Sequence, residues 1–83
     1  MTPLSITPNP ATPSETITIK GEYAADAKVI ILSASGSIVG NVIPSVGADA
    51  MAVSLSELNL QSGIYFIRID SGEKVYSGKL CVK

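Results

Sequence analysis

Ile64–Asp70 (IYFIRID), Ser71–Lys74 (SGEK) and Val75–Lys83 (VYSGKLCVK) form two alternating arms around a turn. Side chains alternate across an extended chain, so Tyr65, Ile67 and Ile69 share one face of the first arm. Phe66 and Arg68 take the other. On the second arm Tyr76, Gly78, Leu80 and Val82 share a face, leaving Ser77, Lys79, Cys81 and Lys83 opposite. The Ser-Gly-Glu-Lys link is turn chemistry, so the pattern predicts a long hairpin with one buried face.

Upstream, Gly, Pro, Asn and Asp cut the sequence into further strand-length stretches. Leu4–Thr7 is a candidate first strand, closed by the rigid corner Pro8-Asn9-Pro10. Two prolines fix φ twice and remove two backbone donors there. Thr16–Lys20 alternates cleanly, with Ile17 and Ile19 on one face. After a loop at 21–26, Ala27–Ser33 is β-branched and places Val29 and Ile31 inward. Ala34–Ser37 reads as a hairpin loop, with Gly36 free to take positive φ. Ile38–Ile43 returns beside it and Pro44 ends it, with a loop over 45–49. Ala50–Leu55 is a weaker strand through Met51, Val53 and Leu55. Over 56–63 a turn or a single helical turn is expected, capped by Ser56 and stopped by Gly63. Seven strands with no sustained helical period predict an all-β chain, an antiparallel β-sandwich of about seven strands. An open barrel fits the same spacing.

Eighty-three residues, 46% of them hydrophobic, suit one domain spanning 1–83 with one modest core. Six basic residues against seven acidic ones, none clustered, argue against a nucleic-acid partner. No basic amphipathic stretch suggests attachment to a membrane surface, and runs such as Val29–Leu32 fall far short of a span. Membrane insertion is therefore not expected. The N-terminus lacks the pattern of a secretory signal. Either the natural protein is cytosolic or this is a piece of a longer exported chain.

The sequence has no histidine, no tryptophan and a single cysteine. Nucleophile–histidine pairs, an internal disulfide and a cysteine zinc site are all excluded on composition. Asp26, Asp49, Asp70, Glu57 and Glu73 sit in predicted loops or turns, which turn chemistry explains better than acid–base catalysis. No loop gathers acidic residues at calcium-binding spacing, and no glycine-rich loop opens a helix. An enzyme, a metal site and a cofactor are not expected. Phe66 is the aromatic predicted to face outward, as cover for a neighbouring segment or as a contact surface. Cys81 reads as a small hydrophobe in a strand, partly exposed beside Lys79 and Lys83. A homodimer through edge strands or through Cys81 stays open.

In order along the chain, four segments resemble one family. Thr7-Pro8-Asn9-Pro10-Ala11 resembles the "PNPA" opening of the C-terminal sorting domains of the type IX secretion system of Bacteroidetes. Val29–Gly36 is similar to its apolar strand running into a glycine turn. Leu58 with Ser62-Gly63-Ile64-Tyr65 is similar to its "L..G.Y" segment, and Lys79-Leu80-Cys81-Val82-Lys83 to its short basic-apolar tail. Ser33 and Ser37 depart from an acidic residue and a lysine common around that turn, and Cys81 from a β-branched residue.

The resemblance implies an immunoglobulin-like sandwich that acts as an address rather than a catalyst. It implies carriage into the periplasm, passage through the outer membrane by the type IX translocon, and a final place at the cell surface or in the medium. Removal by a sortase-like peptidase and joining of the cargo to a lipopolysaccharide are implied too, with a cleavage point near or before Met1. The export machinery is expected to read Lys79, Leu80, Cys81, Val82 and Lys83, through a shallow groove or by strand addition at a sheet edge. Pro8, Asn9, Pro10, Gly36, Gly63 and Tyr65 are expected to be structural. Losing a few C-terminal residues should then abolish export from a sandwich that still folds. The other reading is an immunoglobulin-like adhesion or spacer module that binds protein or glycan.

Overall fold

A computed structural model describes residues 2–83, without the side chains of Thr2 and Pro3. The strands are β1 (Thr2–Pro3), β2 (Ser5–Thr7), β3 (Thr16–Lys20), β4 (Lys28–Ser33) and β5 (Ile38–Val42). They continue as β6 (Ser45–Val46), β7 (Ala50–Ser54), β8 (Gly63–Ser71) and β9 (Lys74–Val82). One sheet runs β1-β9-β8-β4-β5 and the other β2-β3-β7-β6. Each holds four antiparallel strands, and β1 joins the first in parallel beside β9. This is the strand order of an immunoglobulin-like sandwich, with β2-β3-β7-β6 facing β4-β8-β9 and β5 added at the edge.

The alternating stretches of the sequence are the strands observed, and their apolar parity is the core. Ile17 and Ile19 of β3, Val29 and Ile31 of β4, and Met51 and Val53 of β7 are buried against Ile67, Ile69, Leu80 and Val82. Leu55, just beyond β7, closes the same cluster. The buried hydroxyl of Ser71 accepts a hydrogen bond from the Ala24 amide at 2.7 Å. The terminal hairpin pairs in unbroken register from Gly63↔Val82 to Ser71↔Lys74.

Three expectations need correction. Ser45–Val46 pairs with Met51–Ala52, so part of the expected 45–49 loop is strand. Two residues are too few to show a period. The expected strand at Leu4–Thr7 is β2 and is not the first: β1 precedes it beside β9, β2 lies beside β3, and the chain changes sheets at Leu4. Ser56 does not cap the helical turn. That turn is a 3₁₀ turn (Ser56–Leu58) with Leu55 at its N-cap, and it ends at the left-handed Asn59 rather than at Gly63. The Ser56 hydroxyl instead lies 3.1 Å from that of Ser54.

Candidate functional site

The tail is built by β9. Extended alternation sends Leu80 and Val82 into the core, while the side chains of Lys79 and Lys83 are exposed and that of Cys81 is half-buried. The Cys81 thiol is free. In the β8–β9 ladder the backbone groups of Leu80 and Val82 face Tyr65 and Gly63, so those of Lys79, Cys81 and Lys83 point the other way. On that outer side lies the Pro8-Asn9-Pro10-Ala11 segment, with both Thr7–Pro8 and Asn9–Pro10 bonds cis.

Prolines have no N–H, so the donors left between Pro8 and Pro10 are the backbone N–H of Asn9 and its side-chain amide. Its Nδ2 donates to the Lys79 carbonyl at 2.9 Å, and its Oδ1 accepts the Cys81 N–H at 2.9 Å. One primary amide thus satisfies a donor and an acceptor on the same strand edge, as a peptide group of a neighbouring strand would. Ala11, wholly buried, continues the pairing with its backbone. Its N–H donates to the Cys81 carbonyl at 2.8 Å, and its carbonyl accepts the Lys83 N–H at 2.9 Å. Farther back, Thr2 and Pro3 lie beside Tyr76 and Ser77.

The expected strand addition along the tail is therefore corrected. The outer edge of β9 is occupied by the chain's own N-terminal segment, because Asn9 and Ala11 already use the Lys79 and Cys81 carbonyls and the Cys81 and Lys83 amides. What residues 79–83 present to a partner is their side-chain face.

The other motif residues gather at the same end of the sheet. Gly63 is paired with Val82, and Tyr65 with Leu80. Tyr65 also lies beside Ser33, the last residue of β4, so the Gly36 turn leaves from that row. Gly36 takes φ +92° and its N–H donates to the Ser33 carbonyl at 2.9 Å, which is the turn expected of it. Tyr65 is half-buried, and its hydroxyl donates to the Gln61 carbonyl at 2.8 Å and accepts the Gln61 N–H at 3.1 Å. A tyrosine at the start of this strand, bonded to backbone a few residues upstream, is the tyrosine corner of immunoglobulin-like sandwiches.

Sequence reasoning treated Pro8–Pro10 as a corner and missed that Asn9 grips the tail. A signal was present: an amide side chain between two residues that cannot donate is a ready substitute for the missing backbone group. It also missed the Tyr65 hydroxyl bonds. Chemically, the arrangement offers two exposed ammonium groups on a fixed strand, with Ile64 (43% exposed) and Phe66 (39% exposed) beside them on β8. Among the described residues no three His, Cys, Asp or Glu side chains come together as metal ligands, and no helix is long and apolar enough to cross a membrane.

The family model described as "Secretion system C-terminal sorting domain" matches residues 5–83. No curated protein matches the chain.

Proposed function

The chain belongs to the secretion-system C-terminal sorting domains, the signals of type IX export, and from that premise we propose that its machinery reads the face carrying Lys79, Cys81 and Lys83. The family match over residues 5–83 carries this reading, and the geometry supports it. Four separated motifs meet at one end of one sheet, where the tail is bonded both to the Pro8–Ala11 segment and to the strand of Gly63 and Tyr65. A sorting domain marks cargo bound for the outer membrane or beyond. In the same reading, the type IX translocon is the first partner and a sortase-like peptidase the second. The peptidase removes the domain, and the cargo is then joined to the cell surface. The domain itself performs no chemistry.

Adhesion or spacing is the second reading. It is favoured by the exposed apolar side chains of Ile64, Phe66 and Val75 on the outer face of the larger sheet. A sorting signal must act on any cargo fused to it, whereas an adhesion module need not.

The test is a fusion of the 83-residue chain behind a signal peptide and an inert fluorescent cargo, expressed in a type IX-competent bacterium. The native fusion is expected at the surface or in the medium, and the cargo alone in the periplasm. A Lys79→Gln/Lys83→Gln fusion, folded by circular dichroism, should fall several-fold toward the cargo alone. Retention of the native fusion in the periplasm would sink the sorting reading and leave adhesion or spacing.

A further inference from the structure

We propose that Asn9 is a positioning residue for the tail: its side-chain amide stands in for a neighbouring strand and holds Lys79–Lys83 in the conformation the export machinery reads. This rests on the sorting reading above. A hairpin arm that ends a sheet has water on one side and frays from its open end, because only half of its backbone groups are paired. Here the last turns of β9 are bonded on both sides: Leu80 and Val82 face β8, while Lys79, Cys81 and Lys83 face Asn9 and Ala11.

The polarity of the contact is specific. Lys79 offers a carbonyl and Cys81 an N–H, and a carboxamide supplies one donor and one acceptor in matching order. Aspartate at position 9 would still accept from Cys81 but would set an anion against the Lys79 carbonyl. Alanine would make neither bond. With the strand held straight, Lys79 and Lys83 project from the same face about 13 Å apart at Cα, from a rise of about 3.3 Å per residue. A partner then meets two cations at a fixed spacing rather than on a loose end.

Asn9→Ala, Asn9→Asp and Ile17→Val are made in the cargo fusion of the full chain. Ile17 is buried in the other sheet, where its strand pairs with β2 and β7 and not with the tail, so its variant lowers stability without unpairing residues 79–83. Amide hydrogen exchange and export are measured on each. In Asn9→Ala, exchange at Cys81 relative to Ile67 and Ile69 is expected to rise about tenfold, with export falling several-fold, to the level of the Lys79→Gln/Lys83→Gln fusion. Asn9→Asp should fall between, and Ile17→Val should be exported like the native chain. Unchanged protection at Cys81 in Asn9→Ala overturns the proposal. So does lost protection with export intact, or an equal export loss in Ile17→Val, and either leaves the sorting reading standing. Failure of the native fusion to leave the periplasm overturns both.

Discussion

Tyr65 shows how one atom works beyond the reach of a sequence pattern. Its place on the inward parity of the hairpin was legible, since Ile67 and Ile69 follow at spacing two. The hydroxyl's two bonds to Gln61 were not, because a side chain reaching backbone four residues away leaves no period to read. Tyr65→Phe keeps the ring and unpairs both Gln61 groups, so it is expected to cost about 1–2 kcal/mol. Urea unfolding with an unchanged m-value checks this, and a loss below a few tenths would mean that water replaces the hydroxyl. Tyr23 gives the corresponding pH argument. Its ring meets that of Tyr76 edge-on at 5.1 Å and its hydroxyl donates to the Lys20 carbonyl at 2.8 Å. Burial, and secondarily the neighbouring Tyr76, raises its pKa above the ordinary 10.0. A raised pKa means the folded state holds the proton more tightly, so this stabilisation is complete below pH 10 and lost as pH climbs through the folded value. Alkaline titration of stability should therefore slope more steeply downward in the native chain than in Tyr23→Phe. Equal slopes would remove Tyr23 from the account.

Strands of five residues or more were readable, and the very short ones were not. Thr16–Lys20 and Ile64–Asp70 declare themselves by alternation, whereas Thr2–Pro3 and Ser45–Val46 exist only because partners lie beside them. The change of sheet at Leu4 was hidden for the same reason, yet it explains a glycine. A Cβ on Gly78 would stand 2.9 Å from the Leu4 Cβ and 3.1 Å from the Ile6 Cδ1, so β2 crosses β9 where no side chain intervenes. Gly78→Ala forces that crossing apart and should cost about 1–3 kcal/mol, against which a melt within a degree or two of native would count. At the far edge of the same sheet, β5 and its flanks carry no charged residue from Ser37 to Pro44, and Ile38 (66%) in the strand and Ile43 (95%) just beyond it are exposed. An edge without charge is open to pairing with another copy. Sedimentation at rising concentration should show a dimer for the native chain and a monomer for Val39→Lys. A concentration-independent monomer in both would mean the edge stays solvated.

At the scale of the whole molecule, the segment proposed as the address is also part of the core. The repeated alternation of the tail was visible in the sequence, as was the inward parity of Leu80 and Val82, but its consequence for truncation was not. Removing residues 79–83 takes away two buried side chains and frees wholly buried Ala11 from its partners. Each large aliphatic lost from a core costs about 2–5 kcal/mol, which is a large share of the roughly 5–15 kcal/mol that holds a small domain. The expectation that a shortened chain still folds is therefore reversed: a chain ending at Gly78 should lose its cooperative melt or show it far below the native temperature. The Lys79→Gln/Lys83→Gln chain, altered only at exposed side chains, should stay within about 0.5 kcal/mol of native. Comparing the two by circular dichroism separates the tail's two roles. If the truncated chain melts beside the native one, Leu80 and Val82 contribute little to the sandwich and deletion becomes a clean probe of the address. If it unfolds, a failure of the truncated fusion to be exported says nothing about recognition, and only substitutions on the outward face of β9 can test what the machinery reads.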